Sequence, residues 1–338
     1  MGAQHTETTR SRRYLAITPC RNEEQYIQTT IDSMVAQTVL PACWVIVDDG
    51  STDRTPEILA QAAAEHPWIK IVQRADRGER AVGPGVIQTF NDGLESVDLD
   101  DFDYVCKLDG DLGIPERYFE GLIEILEADP LRGNISGKTY IETGSGKWVS
   151  ERMGDENAIG PTKFYRVSCY KDIGGFVPQA SWDGIDGHMC RLKGWIAESI
   201  DREDLRLKHY RPQGSSQKSI WTGRKRWGRG KYFMGSSLLY VTAVAVYRMP
   251  ERPFIVGGIG IFWGYLQAWF GGVDRYDNAE YLRFFRKYEM DSLLKGKRKT
   301  LDATNAKIRA HAQANNDPRL DARSQSDESS DSSQDLVA

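Results

Sequence analysis

Along its first half the chain alternates short apolar runs with longer stretches of helical period. Tyr14 to Thr18 is an apolar run ended by Pro19, and Arg21-Asn22-Glu23-Glu24 then opens a helix on which Ile27, Ile31 and Met34 recur. Trp44 to Val47 is a second short strand, running into Asp48-Asp49-Gly50-Ser51-Thr52-Asp53. Thr55-Pro56 reads as an N-cap followed by proline at the first helical position, with Ile58, Leu59, Ala62 and Ala63 as the apolar face. Ile69 to Val72 is a third strand, followed by a basic, glycine-containing loop from Arg74 to Gly83 and a helix bearing Ile87, Phe90 and Leu94. Tyr104 to Leu108 is the fourth strand, and a helix with Tyr118, Phe119, Leu122, Ile123 and Leu126 follows. Strand-then-helix units in succession predict an α/β fold: a doubly wound, mostly parallel sheet flanked by helices.

From about Ile135 the pattern loosens into shorter strands and glycine-rich turns. These run through Lys138 to Ile141, Thr162 to Arg166, Gly174-Gly175-Phe176 and Trp182-Asp183-Gly184-Ile185-Asp186. A helix with Met189, Leu192 and Trp195 is expected next, then a strand from Leu205 to Tyr210. With no linker between the halves, residues 14–212 read as one catalytic body behind a flexible segment 1–13. Residues 213–299 form a basic and apolar helical region. It opens with Arg224, Lys225, Arg226, Trp227, Arg229 and Lys231 and continues with apolar stretches at Ser236 to Tyr247 and Phe254 to Phe270. The first stretch is shorter than the ~20 residues a bilayer span needs, and the second is borderline and rich in glycine. Trp263, Tyr265 and Trp269 with flanking arginines suit an interfacial helical hairpin on a membrane surface, against the alternative of two helices covering the sheet. The polar tail, 300–338, is expected to be disordered.

Composition narrows the class. The 338 residues are 27% charged and 40% hydrophobic, with a net charge of −4, which describes a folded protein and gives no sign of a nucleic-acid partner. Five scattered cysteines without a C-x-x-C pair point to a reducing compartment and away from a zinc site or disulfide framework. Residues 1–13 lack the apolar core of a secretory signal, so the expected location is cytoplasmic, peripheral at the inner face of the cell membrane.

The fourth strand ends in Asp109-Gly110-Asp111. In an open α/β sheet the exposed groups beyond the strand ends form the ligand-binding rim, and two hard oxygen ligands there suit Mg²⁺ or Mn²⁺ carrying a diphosphate. Asp48 and Asp49 fall on the same rim, where carboxylates accept hydrogen bonds from a ribose or a base. The rival phosphate cradles are missing: no G-x-G-x-x-G follows the first strand, and no G-x-x-x-x-G-K-[ST] occurs. Acids at Glu23 and Glu24 would instead repel a pyrophosphate from that helix N-terminus.

With both acid pairs in hand, residues 14 to about 212 resemble a family 2 glycosyltransferase with the GT-A fold. The matching signatures are Thr18-Pro19-Cys20-Arg21-Asn22-Glu23-Glu24, Val47 to Asp53, Lys107-Leu108-Asp109-Gly110-Asp111, Ile173-Gly174-Gly175-Phe176 and Trp182-Asp183. The resemblance implies that Asp48 or Asp49 holds the nucleoside, with Pro19 and Glu23 lining the same pocket. It implies that Asp109 and Asp111 hold the metal and the sugar diphosphate. It makes Asp183 the general base, although Trp182 stands where the family usually has glutamate, with Asp186 as the substitute candidate. His209 is read as a histidine packed on a sheet, with a third metal ligand as the other role. Processive relatives carry Q-x-x-R-W; here Gly223 replaces the glutamine ahead of Arg226-Trp227, which implies one sugar added per encounter. The implied activity is inverting transfer from a nucleotide-sugar donor to a saccharide or lipid-linked acceptor in envelope or exopolysaccharide synthesis. The alternatives are a sugar-phosphate nucleotidyltransferase, which would want a basic glycine-rich loop after the first strand, and a catalytically silent, membrane-docked nucleotide-sugar scaffold.

Overall fold

The computed structural model describes residues 12–76, 78, 83–151, 154–179, 181–211, 220–250 and 254–321. The segment 1–11 and the serine-rich end of the tail lie outside the described residues, as does most of the loop between Asp76 and Gly83. In chain order the elements are β1 (Tyr14–Cys20), α1 (Ile27–Val35), β2 (Cys43–Asp48), α2 (Thr55–Glu65), β3 (Ile69–Gln73), α3 (Pro84–Glu95), β4 (Tyr104–Leu108) and β5 (Leu112–Gly113). There follow α4 (Tyr118–Ala128), β6 (Arg132–Ser136), β7 (Lys138–Glu142), β8 (Trp148–Ser150), β9 (Thr162–Arg166), α5 (Val167–Asp172), α6 (Trp182–Leu192), β10 (Ile196–Ser199) and β11 (Arg206–His209). The rest is helical: α7 (Ile220–Phe233), α8 (Leu238–Arg248), α9 (Val256–Phe270), α10 (Ala279–Lys295), α11 (Lys297–Ala314) and α12 (Pro318–Asp321).

The main sheet has seven strands in the order β10-β6-β9-β4-β1-β2-β3. All neighbouring pairs are parallel except those of β9, which runs antiparallel to both β4 and β6, so the sheet is mixed. Alternate residues of β1 face opposite ways, as a pleated strand requires. Tyr14 and Ala16 enter one core layer with Ile27, Trp44 and Phe119, while Leu15 and Ile17 enter the other with Phe90, Tyr165 and Ile185. A second, four-stranded sheet, β5-β11-β7-β8, hangs beside the end of β4.

Several local expectations change. The helix expected to open at Arg21 starts at Ile27; residues before it form a turn in which Asn22 has φ +51°. Thr55 is the first helical residue rather than the cap, which leaves its hydroxyl free to accept the Glu23 N–H at 2.8 Å. Trp195 lies beyond α6 and packs into the core.

The packing does not break at residue 212. Tyr281 and Phe285 of α10 are buried in the same core layer as Leu15 and Ile185. The two apolar stretches are helices, as expected, but α9 leans on α7 through backbone contact. A Cβ on Gly264 would lie 2.1 Å from the Lys225 carbonyl, and one on Gly228 would lie 1.9 Å from the Ile261 carbonyl. The glycines of α9 therefore serve a close helix crossing. At 15 residues α9 is about 22 Å long, short of the ~30 Å hydrocarbon core, and no helix among the described residues is long and apolar enough to cross a membrane.

The tail is corrected most. Up to Asp321 it is made of α11 and α12, joined by a short turn, and docked rather than disordered. Ile308, Ala312 and Leu320 cover Leu131 and Ile196, and Arg309 meets Asp129 at 2.6 Å. A few apolar residues at helical spacing, joined by ion pairs to the domain, suffice where the overall composition is polar.

Candidate active site

Parallel strands β4, β1 and β2 are adjacent and end on one edge. Register pairs Cys20 with Asp48 and Ile17 with Lys107, so the acids that follow each strand emerge side by side. Two loops on this edge are stitched together. Asn22 N–H donates to Ser51 Oγ at 2.9 Å, Thr52 N–H to Asn22 Oδ1 at 2.8 Å, and Glu24 N–H to Asp53 Oδ2 at 3.2 Å. Asp48 is buried and accepts the Ser51 N–H at 2.9 Å. Asp49 is buried beside Arg74, whose Nη1 lies 3.0 Å from Oδ1, and Arg21 donates to its carbonyl. Pro19 is partly exposed at the end of β1, and Glu23 is buried against Arg211.

The Asp109-Gly110-Asp111 turn leaves β4 and folds directly against this loop. A Cβ on Gly110 would lie 3.1 Å from Ile27 Cδ1 and 3.9 Å from Glu23 Cγ, so close approach is what glycine permits here. Lys107, though inside the strand, turns its ammonium to Asp109 and donates to the Gly160 carbonyl at 2.8 Å. Asp111 is buried, with Arg211 Nε at 3.2 Å from Oδ2 and His209 Nε2 at 3.7 Å from Oδ1. Burial, then the charge of Asp109, push the Asp111 carboxyl up to about 6. His209 arrives through the small sheet, in which β11 pairs antiparallel with β5 and His209 stands opposite Leu112. Its Nδ1 is 2.8 Å from Glu151 Oε2. Burial pulls the imidazole pKa down, but the Glu151 hydrogen bond and the nearby Asp111 charge outweigh it and leave it raised. His209 is thus both packed on a sheet and aimed at the acid pair.

Among the described residues no group of three or more His, Cys, Asp or Glu side chains is placed to hold a metal ion by itself. Mg²⁺ and Mn²⁺ are bound through one or two carboxylates, with phosphate and water completing the shell. Asp109 and Asp111 are the carboxylates that could join such a shell, with His209 beside Asp111 and Glu151 on the other nitrogen of its imidazole.

Asp183 lies in the first turn of α6, exposed, after Ser181 has turned the chain through a left-handed φ of +65°. A Cβ on Gly160 would stand 3.5 Å from its Oδ2, and the same Gly160 carbonyl holds Lys107 under Asp109. One short path therefore joins Asp183 to the acid pair. Asp186 is elsewhere. It is 2% exposed and held by Lys163 Nζ at 2.6 Å, by Tyr165 and by the Gly187 N–H at 2.6 Å, with burial raising its pKa. Trp182 takes both Lys107 and Lys163 ammoniums at 5.5 Å from its ring centroid, so its π face meets the positive charge beneath the turn. The structure thus brings Glu23, Asp49, Asp109, Asp111, His209 and Asp183 to one rim and leaves Asp186 in the core.

The sequence gives no role to Glu151 or Arg211, and it marks Lys107 only as part of a signature and Arg74 only as the start of a basic loop. A lysine inside a buried strand was the one available signal, for Lys107; the others come from distant loops. Of the basic helix α7, Arg226 reaches Gly83 at the start of α3, while Trp227 faces a cavity beside Asp183.

A family model, Glycosyl transferase family 2, matches residues 15–182. Poly-beta-1,6-N-acetyl-D-glucosamine synthase of Staphylococcus aureus (strain COL) is 25% identical over 126 residues, 37% of this chain and 28% of the relative. Succinoglycan biosynthesis protein ExoA of Rhizobium meliloti (strain 1021) is 31% identical over 111 residues, 32% and 31% of the two chains. The chain thus spans less than a third of the length of these curated relatives. The crystal structure of GalNAc-T7 with UDP, GalNAc and Mn²⁺ superimposes with a TM-score of 0.51 at 12% identity, over 80% of this chain and 59% of that one. The strand order and the matched segment agree: residues 15–182 are a glycosyl transferase family 2 domain, with a GT-A-like fold.

Proposed function

We propose that the enzyme transfers one sugar per encounter, with inversion, from a nucleotide-diphosphate donor to a saccharide or lipid-linked acceptor in polysaccharide synthesis. The observation that carries this reading is the short path from Asp109 through Lys107 and Gly160 to Asp183, which sets a diphosphate-binding acid beside a candidate base. Asp48, Asp49, Pro19 and Glu23 supply the nucleoside side. Asp109, Asp111 and His209 would hold Mg²⁺ or Mn²⁺, as the Mn²⁺ and UDP carried by GalNAc-T7 suggest for a chain of this fold. When bound, the ion supplies Lewis-acid stabilisation of the leaving diphosphate. Glu151 fixes the His209 tautomer, and Lys107 orients Asp109. Asp183, exposed at the helix start, takes the proton of the acceptor hydroxyl as that oxygen attacks the anomeric carbon from the face opposite the departing phosphate. The carbon–phosphate-oxygen bond breaks as the new glycosidic bond forms, which inverts the centre.

The helical hairpin supports attachment to the inner face of a membrane. Leu239, Val246, Tyr247, Phe254, Trp263 and Phe270 are all more than 40% exposed on α8, on α9 and between them. An apolar surface of this kind marks an interaction site.

The direct test is a thermal-shift screen of nucleotide sugars with and without Mg²⁺ or Mn²⁺, followed by a transfer assay with the stabilising donor. A donor that raises Tm only with metal supports the reading. If no nucleotide sugar stabilises the chain under either condition, the donor assignment fails.

A further inference from the structure

Beside Asp183 lies a cavity of about 290 Å³ that the chemistry above does not use. Helix faces supply much of its wall. His188 comes from α6, Trp227 and Lys231 from α7, and Tyr288, Glu289 and Ser292 from α10, where the last three share one face. Four polar atoms of its lining residues are unpaired. Nδ1 of His188, the hydroxyls of Tyr288 and Ser292, and Oε2 of Glu289 are buried with no hydrogen-bond partner in the protein. The residues that carry them are between 2% and 8% exposed. The other Glu289 oxygen is engaged, by Ser236 Oγ at 2.7 Å with Lys231 Nζ 3.6 Å away, and elsewhere in the wall Lys297 pairs with Glu156 at 3.0 Å while Asn157 Oδ1 accepts from Arg191 at 2.9 Å.

Left dry, each unpaired group costs about 1–3 kcal/mol, a cost that a guest able both to donate and to accept would offset. At ~30 Å³ per molecule it has room for about ten waters, far more than a single structural water needs, and it falls just below the ~300–1,000 Å³ range of ligand sites. Acids and cations share the lining, which disfavours a ligand of strong net charge. Trp227 and Tyr288 also line it, with Arg191 over the Tyr288 ring and Arg224 and Arg248 over that of Trp227. Hydroxyl, imidazole and carboxyl partners in one small space fit the hydroxyl-rich ring of a pyranose.

We infer that this cavity is an acceptor subsite that receives one neutral sugar unit, pairs its hydroxyls with His188, Tyr288, Glu289 and Ser292, and presents one hydroxyl to Asp183. The inference rests on the reading of Asp183 as the base. It makes α10, outside the family-matched segment, the element that selects the acceptor. Buried hydrogen-bonding groups reject a sugar lacking the matching hydroxyl far more strongly than an apolar wall could.

Saturation-transfer NMR of the full chain with methyl glucoside, galactoside, mannoside and N-acetylglucosaminide, alone and with UDP and Mn²⁺, tests it. At least one glycoside should give a signal, and Ser292→Leu, which fills the cavity with apolar bulk, should abolish it. Tyr288→Phe removes only the unpaired hydroxyl and should weaken binding about fivefold, the worth of one hydrogen bond. Circular dichroism melts of both variants check the fold, and the near-isosteric Tyr288→Phe keeps the test valid if Ser292→Leu fails to fold. No signal from any glycoside, or an unchanged affinity in the folded variants, overturns the subsite. A chain that binds glycosides here yet transfers no sugar would retain the subsite and lose the transferase mechanism. Transfer with a parental glycoside KM in both variants would do the reverse.

Discussion

Nε2 of His209 stands 3.7 Å from Oδ1 of Asp111, although 98 positions separate the two residues in the chain. The antiparallel pairing of β5 with β11 makes this contact, since β5 begins at the residue after Asp111. Glu151, on the other nitrogen, fixes which face of the imidazole looks at the acid pair. Arg211 meets the second oxygen of Asp111 and also Glu23, so a guanidinium neutralises the acids that a bound cation would otherwise neutralise.

This arrangement predicts graded losses of metal-dependent nucleotide affinity. Asp109→Asn and Asp111→Asn each remove a first carboxylate, and calorimetry with Mn²⁺ should find nucleotide binding no tighter than without metal. Glu151→Gln leaves the ligands in place and should lower metal affinity by about 10–100-fold, as loss of an outer partner does. Metal affinity unaltered in Glu151→Gln would remove His209 from the site.

Asp183→Asn should retain nucleotide binding while transfer falls by about 10²–10⁴-fold, the usual worth of a general base. Asp186→Asn should not show that split between binding and turnover, because its side chain faces Lys163 and Tyr165 in the core. Single-turnover assays of both variants decide between them.

Asp186 should instead report on stability. Both members of its ion pair with Lys163 are 1% exposed or less, and deleting one partner strands the other charge in the core. Asp186→Ala is expected to cost about 3–5 kcal/mol in denaturant unfolding. A loss below about 1 kcal/mol, the size of a surface pair, would mean the pair is hydrated in solution.

Docking of the tail should depend on pH. Burial raises the Asp129 carboxyl, but the Arg309 hydrogen bond and charge outweigh it and leave the pKa below the usual carboxylate value. A lowered folded-state pKa stabilises above the ordinary range and loses that stability as pH falls through it. Arg309→Ala should therefore cost about 1 kcal/mol near pH 7, given that Arg309 is partly exposed. The difference from the parent should shrink below about pH 4, as unfolding curves at both pH values would show.

If the hairpin docks on a membrane, Leu239→Glu with Phe270→Glu should reduce co-sedimentation with anionic vesicles at least tenfold, since each exposed side chain contributes about 1.5–3 kcal/mol when buried. Equal sedimentation of parent and variant would assign the apolar surface to another partner.

Local pattern determined a great deal here. Short apolar runs ending in acids gave the strands, and right-handed strand–helix succession gave parallel neighbours, because backbone pairing and side-chain period are encoded within a few residues. The rim acids Asp48, Asp49, Asp109 and Asp111 were legible for the same reason, each lying directly beyond a strand. Tertiary structure alone decided what depends on distant segments meeting: that His209 faces Asp111, that Asp186 is tied to Lys163 and Tyr165 in the core, and that the tail docks through Arg309 and Ala312. Helical period tells which residues share a face. It does not tell what that face will meet, because the partner is chosen by packing between segments far apart in the chain.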